Sequence, residues 1–231
     1  MLGITKDNLH SFKDFGVTIK SKKIGIASKN KITKTIPFMN GSYDFSLLYG
    51  NQVYDDRQLE YVFNLHSTDK VRLGIARNQL VDWLSSGQRQ PLIDDEFPSY
   101  YFNAECTGIS ESQSGNFAEI TATFIADPFM YGANYEGHDI WDIFNFEEDY
   151  AQQTSFTITN PTDTTIYNPS AISIAPTVIC TSDMKVQMND TTYSFVAGTT
   201  KDYRFKLAKG ENHMTITGQG DIEFKFRKEV L

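Results

Sequence analysis

The early part of the chain contains a turn signal followed by a strand signal, in the run Pro37-Phe38-Met39-Asn40-Gly41-Ser42-Tyr43-Asp44-Phe45. Asn-Gly is a dipeptide that readily adopts positive φ, so Asn40-Gly41 predicts a turn. Tyr43 and Phe45 follow at the two-residue spacing of a strand. The chain then reaches a second strand signal through Tyr54-Asp55-Asp56-Arg57-Gln58-Leu59-Glu60-Tyr61. These residues predict a turn-and-strand element and contain no catalytic motif.

Beyond this run, three segments alternate apolar and polar side chains, at residues 59–66, 100–107 and 118–124. The first segment places Leu59, Tyr61 and Phe63 on one face, as expected of a half-buried strand. Residues 108–116 are polar and contain Gly and Ser. We therefore expect a hairpin loop there, between the second and third strands.

One segment has the period of a helix instead of a strand. Its apolar residues recur at helical spacing, at Leu73, Ala76, Leu80, Trp83 and Leu84. The Thr68 hydroxyl can cap the first turn, and Asp69 favours the positive end of the helix dipole. Gly87 follows the last apolar position. The pattern predicts one amphipathic helix that lies on a sheet.

Short strands separated by turn signals make up the last part of the chain. Eight segments have a two-residue apolar period: Phe156/Ile158, Ile172/Ile174, Val178/Cys180, Val186/Met188, Tyr193/Phe195, Phe205/Leu207, Met214/Ile216 and Ile222/Phe224/Phe226. Turn signals such as Asn189-Asp190 and Gly218-Gln219-Gly220 lie between them. This spacing predicts a β-sandwich, galectin-like or jelly-roll-like.

The complete pattern predicts a mainly β protein with two domains. An α+β N-terminal domain, with one main helix on a β-sheet, is expected over residues 1–133. A C-terminal β-sandwich is expected over residues 154–231. Residues 134–153 are acidic and irregular, which predicts an interdomain linker. The residues leave open whether the last strand, 222–228, stays with the sandwich or returns to the first domain.

Charge is distributed unevenly along the chain, whose net charge is −8. Residues 1–89 contain 13 Lys and Arg and 8 acids, whereas residues 90–184 contain 15 acids and no Lys or Arg. Basic residues cluster at Lys20, Lys22, Lys23, Lys29, Lys31 and Lys34, and acidic ones at Asp94, Asp95 and Glu96. The acidic total and the absence of a nucleic-acid motif argue against DNA binding. We expect instead that residues 20–34 of one subunit meet the acidic residues 90–149 of its neighbour.

Composition is that of a globular protein, with 40% hydrophobic and 22% charged residues. No apolar run approaches the roughly 20 residues that span a bilayer, so no membrane insertion is expected. The N-terminus lacks the features of a signal peptide. Cys106 and Cys180 are either two buried reduced thiols or one disulfide. We expect the chain to be made and folded in a reducing cytoplasm.

The sequence gives little support for a metal, cofactor or catalytic site. Its histidines are scattered, at His10, His66, His138 and His213, with no second ligand at metal-binding spacing. His138-Asp139 leaves a calcium site open as an alternative. There is no nucleophile elbow and no Gly-rich phosphate loop, and the acidic triplets 94–96 and 147–149 are adjacent residues. A glycosidase needs two separated acids instead. We expect no cofactor, no metal and no enzymatic activity.

The quoted runs resemble the distal tail protein family of siphophages. In that family a Pro-x-Met-Asn-Gly-x-Tyr-Asp-like segment precedes an aromatic residue, an Arg and a strand. The matching positions in this chain are Asn40, Gly41, Tyr43, Asp44 and Arg57. The similarity continues at Trp83-Leu84 and at Ala126-Asp127-Pro128-Phe129-Met130-Tyr131, and more weakly at residues 207–218.

The resemblance implies that the N-terminal domain assembles into a six-membered ring, single or stacked, with the β-sandwich outside it. Such a homohexamer joins the tail tube protein to the baseplate, tail-tip, tail-associated or receptor-binding proteins of the virion, and DNA passes through its bore. Acidic residues in the bore would keep DNA from adhering. The family has no catalytic residues to carry over. A receptor- or carbohydrate-binding tail module remains the alternative function, and a tail-associated hydrolase is a third.

Overall fold

The computed structural model describes residues 1–48, 52–138 and 150–231. The chain forms two compact units, Met1–Met130 together with Leu231, and Tyr131–Val230. Within the described residues there are eighteen strands and one helix. The predicted mainly β fold class is confirmed.

The first unit is built on one large sheet. Its elements are β1 (Ile4–Lys6), β2 (Leu9–His10), β3 (Thr18–Ile24), β4 (Thr33–Lys34), β5 (Tyr43–Asp44), β6 (Arg57–His66), α1 (Lys70–Ser85), β7 (Gln90–Asp94), β8 (Tyr100–Ser114) and β9 (Phe117–Gly132). The sheet has the order β2-β1-β7-β8-β9-β6-β3, and β4 pairs with β5 in a separate ribbon. The three strands predicted from alternation correspond to β6, β8 and β9.

The core of this unit follows from the same alternation. Leu59, Tyr61 and Phe63 on β6 are completely buried, and so are Ile120 and Phe124 on β9. The helix α1 lies against β6 and β8. It adds Leu73, Leu80, Trp83 and Leu84 to the same cluster. The predicted amphipathic helix on a sheet is therefore confirmed.

Two side chains fix the ends of α1. Asp69 is the N-cap, and its carboxylate accepts the Val71 amide at 3.1 Å. The expected cap, the Thr68 hydroxyl, is thus wrong by one residue, because Asp69 is the last residue with extended backbone. At the other end, the buried Lys6 ammonium donates to the Trp83 carbonyl at 2.8 Å and to Ser86 at 2.7 Å. A cation there offsets the negative end of the helix dipole.

The predicted hairpin between the second and third strands is confirmed, but its loop is much shorter than the predicted 108–116. Strand β8 continues to Ser114 and β9 begins at Phe117, so only Gly115 and Asn116 form the turn. Gly115 has a φ of 62°, which this tight turn requires. The polar residues that suggested a loop are solvent-exposed strand residues, because pairing with β9 satisfies their backbone groups.

The second unit contains two four-stranded sheets. Its elements are β10 (Ser155–Ile158), β11 (Thr162–Asn168), β12 (Thr177–Cys180), β13 (Met184–Met188), β14 (Thr191–Phe195), β15 (Gly198–Thr200), β16 (Gly210–Thr217), β17 (Gly220–Lys225) and β18 (Glu229–Val230). The sheets have the orders β10-β17-β12-β15 and β11-β16-β13-β14, while β18 pairs with β9. One buried cluster draws side chains from both sheets, including Val178 and Phe224 from one and Val186 and Ile216 from the other. The predicted β-sandwich is confirmed.

Two of the eight strands predicted for this unit are wrong. Residues 172–174 and 205–207 form only an isolated bridge, between Ile174 and Leu207. Ile174, Phe205 and Leu207 are nevertheless buried, although no strand forms around them. Three other strands, β11, β15 and β18, were not predicted. β11 lies at a sheet edge with Ile166 as its one buried apolar residue, so it lacks the apolar alternation of a core strand. The predicted Asn189-Asp190 turn is confirmed, because both residues have positive φ.

The structure also bears on the predictions for the cysteines, the linker and membrane insertion. Cys106 and Cys180 are free thiols, so the disulfide alternative is wrong. Burial raises the pKa of both thiols, which disfavours the reactive thiolate. The linker prediction over 134–153 and the His138-Asp139 alternative fall partly on residues 139–149, which lie outside the described residues. No helix in the described ranges is both long enough and apolar enough to cross a membrane.

The helix cap gives a first test. Asp69→Ala should lower the free energy of unfolding by about 1 kcal/mol, because the Val71 amide loses its acceptor. Thr68→Ala is the matched control and should change it by less than about 0.5 kcal/mol. Urea denaturation followed by circular dichroism measures both variants. A larger loss for Thr68→Ala than for Asp69→Ala would contradict the assigned cap.

Candidate assembly surface

A long excursion of the chain leaves the sheet between β3 and β6; we call its described residues, 25–48 and 52–56, the arm. Its two legs pair along their length, with Lys34 opposite Tyr43 near the end of the ribbon. Nearer the sheet, the Asn30 amide donates to the Val53 carbonyl at 2.9 Å. The Asp55 amide donates to the Ser28 carbonyl at the same distance. The arm is therefore an ordered extension of the sheet and not a simple connecting loop.

The quoted motif lies at the end of the arm. Gly41 has a φ of 90°, which confirms the predicted turn with positive φ, and Tyr43 and Asp44 form the predicted strand β5. The Lys31 ammonium donates to Asp44 at 2.6 Å, and the Ser46 amide donates to Asp44 at 2.9 Å. These hydrogen bonds, led by that of Lys31, lower the pKa of Asp44 well below its usual range. Asp44 of the motif therefore forms an ion pair with Lys31 on the opposite leg of the ribbon.

The arm exposes an unusual amount of apolar surface. Phe38 at its tip is fully exposed, and Leu48 is 67% exposed. The exposed large apolar residues among the described residues of the arm are Ile26, Ile32, Ile36, Phe38, Tyr43, Phe45, Leu47, Leu48 and Val53. Exposed apolar side chains in such number mark a candidate contact site, since their exposure to water is unfavourable. The arm is therefore the candidate assembly surface.

Arg57, the last residue of the motif, lies elsewhere. It is the first residue of β6, only 4% exposed, and its guanidinium lies over the Phe102 ring at 5.7 Å. Burial lowers the pKa of Arg57. Its Nε and Nη2 atoms have no hydrogen-bond partner among the described residues. The structure therefore separates Arg57 from the exposed part of the motif and places it in the core.

Some of the basic and acidic residues predicted to pair between subunits instead form ion pairs within one chain. The Lys22 ammonium lies 2.8 Å from both carboxylate oxygens of Asp94 and 2.9 Å from Glu96. The Tyr61 hydroxyl donates to the same buried Asp94 carboxylate at 2.9 Å. Burial and the negative charge of Asp94 raise the pKa of Tyr61. Lys22, Asp94 and Glu96 therefore stabilise the fold of their own subunit.

The other predicted interface residues have different surroundings. Asp95 accepts from His10 Nε2 and from the Gly3 amide, each at 2.9 Å. Burial alone would raise the pKa of Asp95, but these two hydrogen bonds outweigh it and the pKa is lowered. Lys20 pairs with Glu119. Lys23, Lys29 and Lys34 form no ion pair with any described residue. A role of these residues between subunits stays a prediction.

A groove beside the C-terminal half of α1 was not predicted. Its volume is about 620 Å³, and its lining includes Asp7, Leu9, Asp14, Phe15, Asp82 and Trp83. Phe15 and Trp83 stack with ring centroids 4.7 Å apart. On the same side of the helix, Val71 and Ile75 are 69% and 55% exposed. We call this surface the helix groove. The signal in the sequence was the apolar pair Val71 and Ile75, which does not fit the core pattern of the helix.

Metal-binding chemistry finds no support in the part of the chain that the structure describes. There, no three His, Cys, Asp or Glu side chains lie close enough together to hold an ion. His10 instead holds Asp95, and its Nδ1 lies 3.0 Å from the Phe12 amide.

Comparison with known proteins finds similarity among solved structures. No protein-family model and no curated protein matches the chain. Among solved structures, it is similar to the crystal structure of the SPP1 Dit protein (gp 19.1), described as a paradigm of the hub adsorption apparatus in phages that infect Gram-positive bacteria. The match covers 100% of both chains with a TM-score of 0.70 and 14% sequence identity. The chain has the fold of a phage distal tail protein.

The distal tail fold accounts for both units, because the match extends over the full length of the chain. The predicted resemblance is confirmed at the level of the fold. At this identity, the roles of individual side chains rest on the geometry of this chain alone.

The buried carboxylate of Asp94 gives a second test. Asp94→Ala should lower the free energy of unfolding by about 3 kcal/mol, because it leaves Lys22 and the Tyr61 hydroxyl without their shared acceptor. Glu96→Gln, whose side chain is half exposed, should cost less than about 1 kcal/mol. Urea denaturation measures both variants. Equal, small losses would contradict a structural role for the buried cluster.

Proposed function

We propose that this chain is a structural hub subunit of a phage tail, which joins the tail tube to the baseplate or tip. The observation that carries the proposal is the full-length fold match to a protein of a phage adsorption hub. A match to one unit alone would support only a shared domain. Such a role places the protein in the virion, after assembly in the cytoplasm of the host. It is a structural role without catalysis or a cofactor.

We propose further that the first unit assembles into a homohexameric ring. The exposed apolar arm supports this proposal, since contact with a neighbouring subunit would remove its side chains from water. At about 25 cal/mol per Å² of buried apolar area, such a contact is a large favourable contribution to assembly. The ring would contact the tail tube protein on one face and tail-tip, baseplate or receptor-binding proteins on the other. DNA would pass through its bore.

A mass measurement tests this assembly. The chain has a mass of 26.2 kDa, and native mass spectrometry should detect a species of about six times that mass. Phe38→Ser combined with Leu48→Ser should shift the protein towards the monomer, because both side chains are exposed in the isolated subunit. Phe117→Ser, at the exposed turn of β8 and β9, is the matched control and should leave the mass unchanged. A monomeric wild type at micromolar concentration would overturn the ring.

A second candidate function is recognition of a receptor or carbohydrate by the β-sandwich. It is favoured by a polar depression of about 480 Å³ on the outer face of the sheet that contains β11, β16 and β13. Thr215 donates to Asp163 at 2.6 Å, and the Thr165 hydroxyl lies 2.7 Å from His213 Nδ1. Polar side chains held in fixed orientations suit the hydroxyl groups of a sugar.

A glycan array probed with the full chain tests this second function. Binding should be reduced at least about tenfold by Asp163→Ala, which removes an acceptor for a sugar hydroxyl. Lys206→Ala, an exposed residue outside the depression, should leave it unchanged. An array without any bound glycan would contradict carbohydrate recognition and leave the hub proposal intact.

A further inference from the structure

We propose that Asn40 is a site of spontaneous deamidation, at which the main-chain nitrogen of Gly41 attacks the side-chain amide. Asn40-Gly41 is the one Asn-Gly pair in the sequence. It lies between β4 and β5, in residues 35–42, which we call the tip loop. The reaction needs no cofactor and no partner protein. It therefore depends on the tip loop alone and not on whether the chain assembles into a ring.

The chemistry is an internal acyl transfer followed by hydrolysis. The Gly41 nitrogen loses its proton to solvent and forms a bond to Cγ of Asn40. The bond from Cγ to Nδ2 breaks, and ammonia leaves after taking up a proton from water. Water then opens the resulting succinimide ring at either carbonyl, which leaves an aspartyl or an isoaspartyl residue at position 40. One water is consumed and one ammonia is released. The two reacting groups are adjacent in the chain, so they need no encounter step.

The attacking nitrogen of Gly41 is free to react. Just before it, the Met39 amide donates to the Ile36 carbonyl at 3.1 Å, but the Gly41 amide donates to no described residue. Gly41 has a φ of 90°. Apart from its chain neighbours, no described residue has a heavy atom within 4 Å of the position that a Cβ would occupy there. Solvent therefore reaches the Gly41 amide, and no side chain at position 41 hinders its approach to Asn40.

The side chain of Asn40 is also free. It is exposed and forms no hydrogen bond with any residue in the described ranges. Asn116, in the turn between β8 and β9, is the contrasting case. Its side-chain amide donates to the Thr68 carbonyl at 3.2 Å. The residue after it is Phe117, whose side chain hinders attack by its own main-chain nitrogen. Asn116 should therefore remain intact, although it also lies in a turn.

Deamidation changes the charge of the tip loop. Residues 35–42 contain no Lys, Arg, Asp or Glu, so the new carboxylate is the first charge among them. Phe38 in the same loop is fully exposed. A charge close to an apolar side chain opposes transfer of the loop out of water, because the carboxylate would lose its hydration. The isoaspartyl product also lengthens the main chain at position 40. The reaction therefore marks chains that have aged in solution and makes burial of their tip loop less favourable.

Peptide mapping of the aged protein tests the site. The full chain is incubated at neutral pH in water enriched in heavy oxygen and then digested with trypsin in ordinary water, so that only the earlier reaction carries the label. Mass spectrometry should show that position 40 has exchanged its side-chain nitrogen for heavy oxygen, in separable aspartyl and isoaspartyl forms. The rate should exceed that at Asn116 at least about tenfold. Asn40→Gln, whose amide is one methylene further from the main chain, is the matched control and should stay unlabelled.

Two further variants complete the test. Gly41→Ala should slow the reaction at Asn40 about tenfold, because the added methyl group hinders the attacking nitrogen. The double variant Phe38→Ser, Leu48→Ser, expected to be monomeric, undergoes the same incubation, so that assembly does not protect the loop. Label at position 40 in the wild type or in this double variant supports the site. An unlabelled position 40 in both proteins, or a rate no greater than that at Asn116, would refute it and leave the hub proposal unchanged.

Discussion

The buried carboxylate of Asp94 connects strands that are not neighbours in the sheet. Asp94 ends β7, whereas its partners Lys22 and Tyr61 lie on β3 and β6 at the far side of the strand order. These hydrogen bonds require the sheet to curl around its core. A buried carboxylate is unfavourable unless it is fully paired, and here an ammonium, a phenol and a backbone amide all donate to it. The arm connects β3 to β6, which are the last two strands of this order.

The first unit therefore divides its apolar residues between two roles. The inward row of β6 and the buried side of α1 stabilise the subunit. The arm has no core of its own, and its ribbon is held by backbone pairing and by the ion pair of Lys31 with Asp44. Its apolar side chains consequently remain available for contact with another molecule. The sheet stabilises the unit, whereas the arm leaves apolar side chains exposed to solvent.

Local patterns in the sequence predicted the elements that bury a regular face. Strand β6 and helix α1 were predicted because their apolar residues repeat with a clear period. Strand β11 was missed because an edge strand with one buried apolar residue has no such period. Residues 108–116 were mistaken for a loop because exposed strand residues and loop residues have the same polar composition.

The candidate site was predictable only in part, for a different physical reason. The turn at Gly41 and the strand at Tyr43 follow from short-range conformational preferences. Whether a lysine pairs within its chain or across an interface depends on contacts distant in sequence, such as that of Lys22 with Asp94. The helix groove likewise forms from β2, its following turn and α1, which are about seventy residues apart. Local sequence patterns do not predict contacts between residues so far apart in the chain.

The position of β1 inside the sheet has a consequence for biosynthesis. Ile4 is completely buried and lies opposite Asp94 in the β1–β7 ladder. As the chain leaves the ribosome, its first strand can therefore gain no native neighbour on that side until some ninety further residues have been synthesised. Until then the nascent chain, which already includes the arm, is unfolded or only partly paired. Pairing of β1 with β7 can therefore complete this part of the sheet only after residue 94 has been synthesised.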